Sequence, residues 1–277
     1  MTIDVRLRPD RPNDARGMTL LEVLVACGIL VVGLASVAAI LPAAASLLAD
    51  AATVDRSAAL AANAAADLVG RGVLKASSFP AGIKTIVIGD MFPATPFNAS
   101  PYKRDSGLRG SIDEAAYGTI AYGATLAPSY LPPSGLQAGM PARLSIAVFR
   151  RNDAEFRNIK VEAVGNGPAS GVFRISEVSA PPNPPETTPA ALEMARRRFL
   201  RGCSWVLVDR NGVVTWLHIG SSWATFAPNT KAQQIAGSYV SFTDPQAATS
   251  VASGNTLQVV AFSGLVRLEE RLVTLEP

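Results

Sequence analysis

The chain has 277 residues, 48% hydrophobic and 17% charged, with a formal net charge of +3. That length can bury a proper core in one large or two small domains, and the weak positive balance is too small for a nucleic-acid footprint. Two cysteines, Cys27 and Cys203, rule out a disulfide framework, and the single histidine, His218, leaves little from which to build a triad or a zinc site.

The first seventeen residues carry Arg6, Arg8, Arg11 and Arg16 against Asp4, Asp10 and Asp14. From Gly17 to Asp50 the only charge is Glu22, and residues 23–49 are apolar or small apart from Ser36, Ser46 and Pro42. About twenty such residues span a bilayer as a helix, so this run predicts a membrane anchor. A carboxylate at its mouth calls for a reason, because burial at the bilayer centre costs about 2.5 to 3.5 kcal/mol even on lenient scales. One reason is local: Thr19 and Glu22 fit a capping box, in which each side chain satisfies the other's backbone amide, and the helix dipole favours a carboxylate there. The arginines on the N-terminal side predict that residues 1–17 stay cytoplasmic while the rest is exported.

Beyond Asp50 the helical pattern continues with Val54, Ala58, Ala61, Ala65, Leu68 and Val73 on one face. Asp67 and Arg71 form an i,i+4 pair, and Gly70 and Gly72 mark the end. One helix from about residue 18 to about residue 70 is expected, kinked at Pro42, which lacks an amide and crowds the preceding turn. Ala35, Ala39 and Ala43 place small residues on one stripe, as chance readily does in an Ala-rich helix.

Residues 76–142 read as a loop-heavy connection with short strands at 85–88 and 117–122. Strands follow at 144–148, 159–164 and 172–178. After a Pro-rich loop, Thr188 and Pro189 give an N-cap and first-turn signal for a helix ending near Arg201. Its Arg196, Arg197, Arg198 and Arg201 read as a solvated face at a cationic C-terminal end. Asn211-Gly212 between two β-rich segments predicts a hairpin over 204–219. Further strands are expected at 239–242, 257–262 and 265–275, the last two as a hairpin turning at Ser263-Gly264. The predicted class is α+β: a long N-terminal transmembrane helix, then an antiparallel head with one or two short helices.

No catalytic constellation emerges, so an enzyme is not expected. His218 reads as a sheet residue beside Trp216, and the acidic pairs Asp113/Glu114, Asp153/Glu155 and Glu269/Glu270 read as loop or edge decoration. Asp209-x-Asn211-Gly212 is too short for a dedicated calcium loop, and no cofactor or metal is expected.

The string from Gly17-Met18-Thr19-Leu20-Leu21-Glu22 through Gly33-Leu34 closely resembles the signal of type IV prepilins and type II secretion pseudopilins, nearest to minor pilins. The resemblance covers about residues 11–45. It implies a leader peptide at 1–17, a long helix at 18–75 with its anchor at 23–49 and an amphipathic half at 50–75, and an exported head at 76–277. A prepilin peptidase would cut between Gly17 and Met18 and N-methylate Met18. The Glu22 carboxylate of one subunit could then neutralise the new amine of a neighbour in the filament. Implied partners are that peptidase, other pilins or pseudopilins and the inner membrane, with no nucleic acid. The implied place is a bacterial envelope filament, with a single-pass subunit whose head is periplasmic or extracellular. Two alternatives stay open. An ordinary secretory signal could be cut after Ala45, or an extracytoplasmic binding or sensory protein could borrow the signal for export only.

Overall fold

The computed structural model describes residues 19–79, 81–89, 102–105, 119–129, 135–151, 154–164, 171–179, 184–202, 204–210, 212–225, 237–245, 248 and 255–277. The chain divides into two compact units, Met1–Ala52 and Thr53–Pro277. The long predicted helix is present as α1, Leu20–Gly70, unbroken in its assignment through Pro42. In the first unit every described residue, 19 to 52, is exposed.

In the second unit α1 buries Ser57, Leu60, Ala61, Ala64, Ala65 and Leu68. These positions recur at three and four, the spacing of one helical face. The predicted face was partly misplaced: Ala61, Ala65 and Leu68 lie on it, but Val54 is half exposed and Leu60 and Ala64 were overlooked. Alanine supplies so many candidate stripes here that the sequence alone chooses poorly among them. The predicted Asp67–Arg71 pair forms at 3.0 Å. Helix α1 ends in a Schellman motif: the Val73 amide donates to the Leu68 carbonyl and the Gly72 amide to that of Val69, with Gly72 at φ +68°.

A five-stranded sheet lies against this helical face in the order β11 (Leu265–Thr274), β4 (Pro141–Arg150), β3 (Ile120–Pro128), β1 (Thr85–Ile88), β2 (Tyr102–Asp105). All its neighbours are antiparallel except the parallel pair β1 and β2. Residues 76–142 are therefore less irregular than expected. Strand β2 was missed, because Lys103, Arg104 and Asp105 hide it behind charge, and β3 extends beyond the anticipated segment, whose first two residues lie outside the described ones.

The remaining strands close into a barrel, β10 (Thr256–Phe262), β5 (Phe156–Ala163), β6 (Val172–Ser179), β9 (Gly237–Phe242), β8 (Val213–Thr225), β7 (Trp205–Arg210) and back to β10. Its interior is filled by Ile159, Val161, Phe173, Ile175, Val206, Leu217, Val240 and Val259. Helix α2 (Pro189–Phe199) adds Ala191, Ala195 and Phe199 to the same core. As predicted, Thr188 caps it, its hydroxyl accepting from the Ala191 amide at 3.4 Å. The hairpin is also as predicted: Arg210 pairs with Val213 across a two-residue connection, and the Asp209 carboxylate accepts from the Gly212 amide at 2.9 Å.

Strands β10 and β11 do not form a hairpin, contrary to expectation. Strand β10 pairs with β5 and β7 in the barrel, whereas β11 pairs with β4 in the sheet. The chain changes layer at Ser263-Gly264, where Gly264 takes φ +72° and its carbonyl accepts from the Arg150 amide.

Sheet and barrel share a third core of Val87, Ala147, Phe149, Leu207, Val214, Trp216, Val260 and Phe262. Alternation on β4 accounts for both contacts: Leu144, Ile146 and Val148 face the helix, while Ala147 and Phe149 face the barrel. The order in this unit is thus helix, sheet, barrel.

Candidate functional site

The residues singled out by the sequence cluster at the start of α1. Gly17 and Met18 lie outside the described residues. Thr19 is the first described residue and occupies the N-cap position, with Leu20 opening the helix.

The capping box forms as its spacing requires. The Thr19 amide donates to Glu22 Oε2 at 3.0 Å, and the Glu22 amide donates to Thr19 Oγ1 at 3.3 Å. The Thr19 hydroxyl also donates to Glu22 Oε2 at 3.3 Å. A helix start leaves four backbone amides without intrahelical partners, and this pair satisfies two donors there with two side chains. Both hydrogen bonds to the Glu22 carboxylate fall on Oε2; among the described residues Oε1 takes none.

From Val23 to Ala49 the helix that follows is apolar around its whole circumference, and none of it is buried. Leu20, Leu24, Ile29, Val32, Ile40 and Leu47 each expose well over half their surface. Such a surface is unfavourable in water and suits hydrocarbon or other apolar helices. The two hydroxyls within residues 23–49 are satisfied in the helix, Ser36 on the Gly33 carbonyl and Ser46 on the Ala43 carbonyl, both at 2.8 Å. That is what a lipid-facing segment requires of its polar groups. Gly28 and Gly33 would have open space around an added Cβ, so nothing in this chain explains their lack of a side chain. Cys27 is a free, exposed thiol on the same segment, and Cys203 lies outside the described residues.

The head residues weighed for chemistry are engaged structurally. His218 lies on β8, with Nδ1 2.6 Å from Thr243 Oγ1 and its ring edge-on to Trp205 at 4.8 Å. Glu155 pairs with Arg198 at 2.7 Å and Arg157 at 3.4 Å. Glu270 pairs with Arg143 and accepts from Ser145, while Glu269 pairs with Arg267 and Arg271. Asp113, Glu114, Asp153 and Asn211 lie outside the described residues. Among the described residues, no three side chains of His, Cys, Asp or Glu converge as metal ligands.

One expectation for α2 needs correction. Arg196 is not on the solvated face: its side chain is only 15% exposed, and its guanidinium is held by Glu193 at 2.6 Å and the Ser222 carbonyl at 3.3 Å. A carboxylate three residues before an arginine gave the signal, but the barrel surface that covers the pair comes from β8 and β9, far away in sequence.

Neither a curated protein nor a solved structure matches this chain. Residues 12–38 do match the prokaryotic N-terminal methylation motif, which spans the charged segment, the Gly17-Met18 junction, the Thr19/Glu22 cap and the first turns of the apolar helix. That motif implies processing by a prepilin peptidase and assembly with other pilins, and a single long apolar N-terminal helix fits membrane anchoring. The chain therefore carries a type IV prepilin-type signal, that of a pilin-like or pseudopilin-like precursor.

Proposed function

We propose that this protein is a minor pilin or pseudopilin subunit, cut between Gly17 and Met18, N-methylated on Met18, and assembled through α1 into a type IV pilus or a type II secretion pseudopilus. The observation that carries the reading is the exposed apolar surface of residues 20–48, which begins at a capped carboxylate inside the matched motif. Residues 1–17 serve as leader, 18–75 as the segment whose helix, ending at Gly70, is first anchor and then filament core, and 76–277 as the exported head. A head of this size suits a minor, tip or priming position better than a major subunit.

Chemistry supports each step. Gly17 lets a protease approach the backbone closely, and the cut creates a cation at Met18. Glu22 of a neighbour offsets the cost of leaving that amine in apolar surroundings, using the carboxylate oxygen that the cap leaves available. Pro42 offers no amide to the Ala38 carbonyl, so the anchor bends there and adapts its line to its neighbours.

Intact-mass measurement of the protein from its host tests the processing. N-methyl-Met18 as first residue is the expected result, and a chain beginning at Ser46 would show an ordinary secretory signal instead. Assembly is tested with two variants. Glu22→Gln keeps a capping box but carries no charge, whereas Glu22→Ala loses both. Each should still be cleaved and should fail to enter filaments; normal incorporation of Glu22→Gln would leave capping as the only role of this residue.

A further inference from the structure

Where the chain passes from barrel to sheet at Ser263-Gly264, a cleft of about 530 Å³ opens beside the last turn of α2, lined among others by Glu155, Arg198, Arg201, Trp205, Leu265 and Arg267. Its charges do not balance. Glu155 is shared by Arg198 and by Arg157, and Glu269, beside Arg267, also serves Arg271. Arg201 spends its Nε on the Arg197 carbonyl at 2.6 Å and meets no carboxylate among the described residues. Arg267 keeps its Nε 3.6 Å from a carboxylate oxygen of Glu269, and its side chain stays 40% exposed.

Guanidinium groups lining one cleft repel one another, and an anion among them relieves that repulsion. The arrangement is also held in place. Arg198 and Arg157 both lie over the Phe199 ring, at 5.5 and 5.2 Å, and Trp205 is fixed edge-on against His218. Irregular pairing of β11 between Leu265 and Arg267 displaces the strand at the rim. Guanidinium forks match the two oxygens of a carboxylate or a phosphate, and the neighbouring wall of Trp205 and Leu265 is apolar.

We propose that this cleft binds an oxyanion, carboxylate or phosphate, held by Arg201 and Arg267 and carried on an apolar group that lies against Trp205 and Leu265. The site belongs to the head and does not depend on how α1 assembles.

The full-length protein in detergent micelles is titrated with hippurate, phenyl phosphate, inorganic phosphate and the uncharged amide of hippurate, following the indole N–H resonance of Trp205, assigned with Trp205→Phe. Saturable binding of hippurate or phenyl phosphate below about 10 mM is expected, with inorganic phosphate weaker and the amide inactive. The preferred anion identifies whether carboxylate or phosphate is the natural group. Arg201→Gln and Arg267→Gln should each weaken binding about tenfold, their combination should abolish it, and Arg143→Gln on the sheet should leave it unchanged. Arg201→Lys, which keeps the charge but loses the fork, should fall between. No saturation by any anion, equal binding of the amide, or unchanged affinity in the double variant overturns the proposal. Should Arg267→Gln fail to give the native near-ultraviolet circular dichroism, the Arg201 variants at the solvent-facing helix end decide alone.

Discussion

The Glu193 carboxylate takes hydrogen bonds from Arg196 at 2.6 Å, Arg197 at 2.7 Å and the Ser238 hydroxyl at 2.8 Å. Those donors, Arg196 first, hold it well below the usual carboxylate range, against the opposing effect of burial. A depressed carboxylate contributes stability that is present above its unfolded value of about 4.5 and is lost as pH falls toward the folded value. Glu193→Gln should therefore cost about 1 to 2 kcal/mol at neutral pH, discounted for partial solvation, and the difference from the unsubstituted protein should shrink below about pH 4. Urea unfolding at both pH values checks this; an equal deficit at both would show that the contribution is packing rather than charge. Glu193 also shows why side-chain roles were only partly legible. Its pairing with Arg196 and Arg197 follows from helical spacing, but Ser238 comes from another strand and nothing local announces it.

Elements whose stability is decided locally could be read from the sequence. Thr188 before Pro189, Gly212 in the hairpin connection and the glycines closing α1 each specify backbone geometry within a few residues, and each stands where it was expected. Gly72→Ala tests one of them: a side chain at φ +68° should cost about 1 to 2 kcal/mol by thermal unfolding. Leu68→Ala removes a fully buried side chain from the same helix end and should cost about 2 to 5 kcal/mol. Elements decided by distant partners were read less well. Ser263-Gly264 looks like a hairpin turn, yet Leu265 finds its partner in Phe149 because a vacant edge of β4 is available there. Likewise β8 was expected to stop at Ile219. It continues to Thr225 because pairing passes from β7 to β9 across a register shift between Ile219 and Ser221, and the partner strand makes the continuation worthwhile. At the candidate assembly segment the reverse holds. Everything described there, from the cap to the apolar turns, is local, and so a short string of residues sufficed to find it.

In the head as a whole, sheet and barrel are joined by an apolar interface that includes two buried side-chain hydrogen bonds. The Trp216 indole donates to Thr125 at 3.2 Å, and the Val214 amide donates to the Thr85 hydroxyl at 3.2 Å. Trp216→Phe keeps the ring stacking near Phe262 but strands the buried Thr125 hydroxyl. It should cost about 1 to 3 kcal/mol, read as a lower denaturation midpoint with an unchanged slope if sheet and barrel still unfold together. A separate second transition would instead show that this contact couples them.

The last residues of the chain return to the exit of α1. Ala76 donates to the Glu276 carbonyl at 2.7 Å, Glu276 donates to the Leu74 carbonyl at 2.9 Å, and Leu275 is buried in the core beneath. Tension applied at the exit of α1 therefore passes straight into the C-terminal strand, and from there across β4 and β3, instead of peeling this unit open at its first loop. One short clasp thus ties residues 74–76 to residues 275 and 276, and removing residues 275–277 should lower the force at which this unit unravels far more than three residues would suggest.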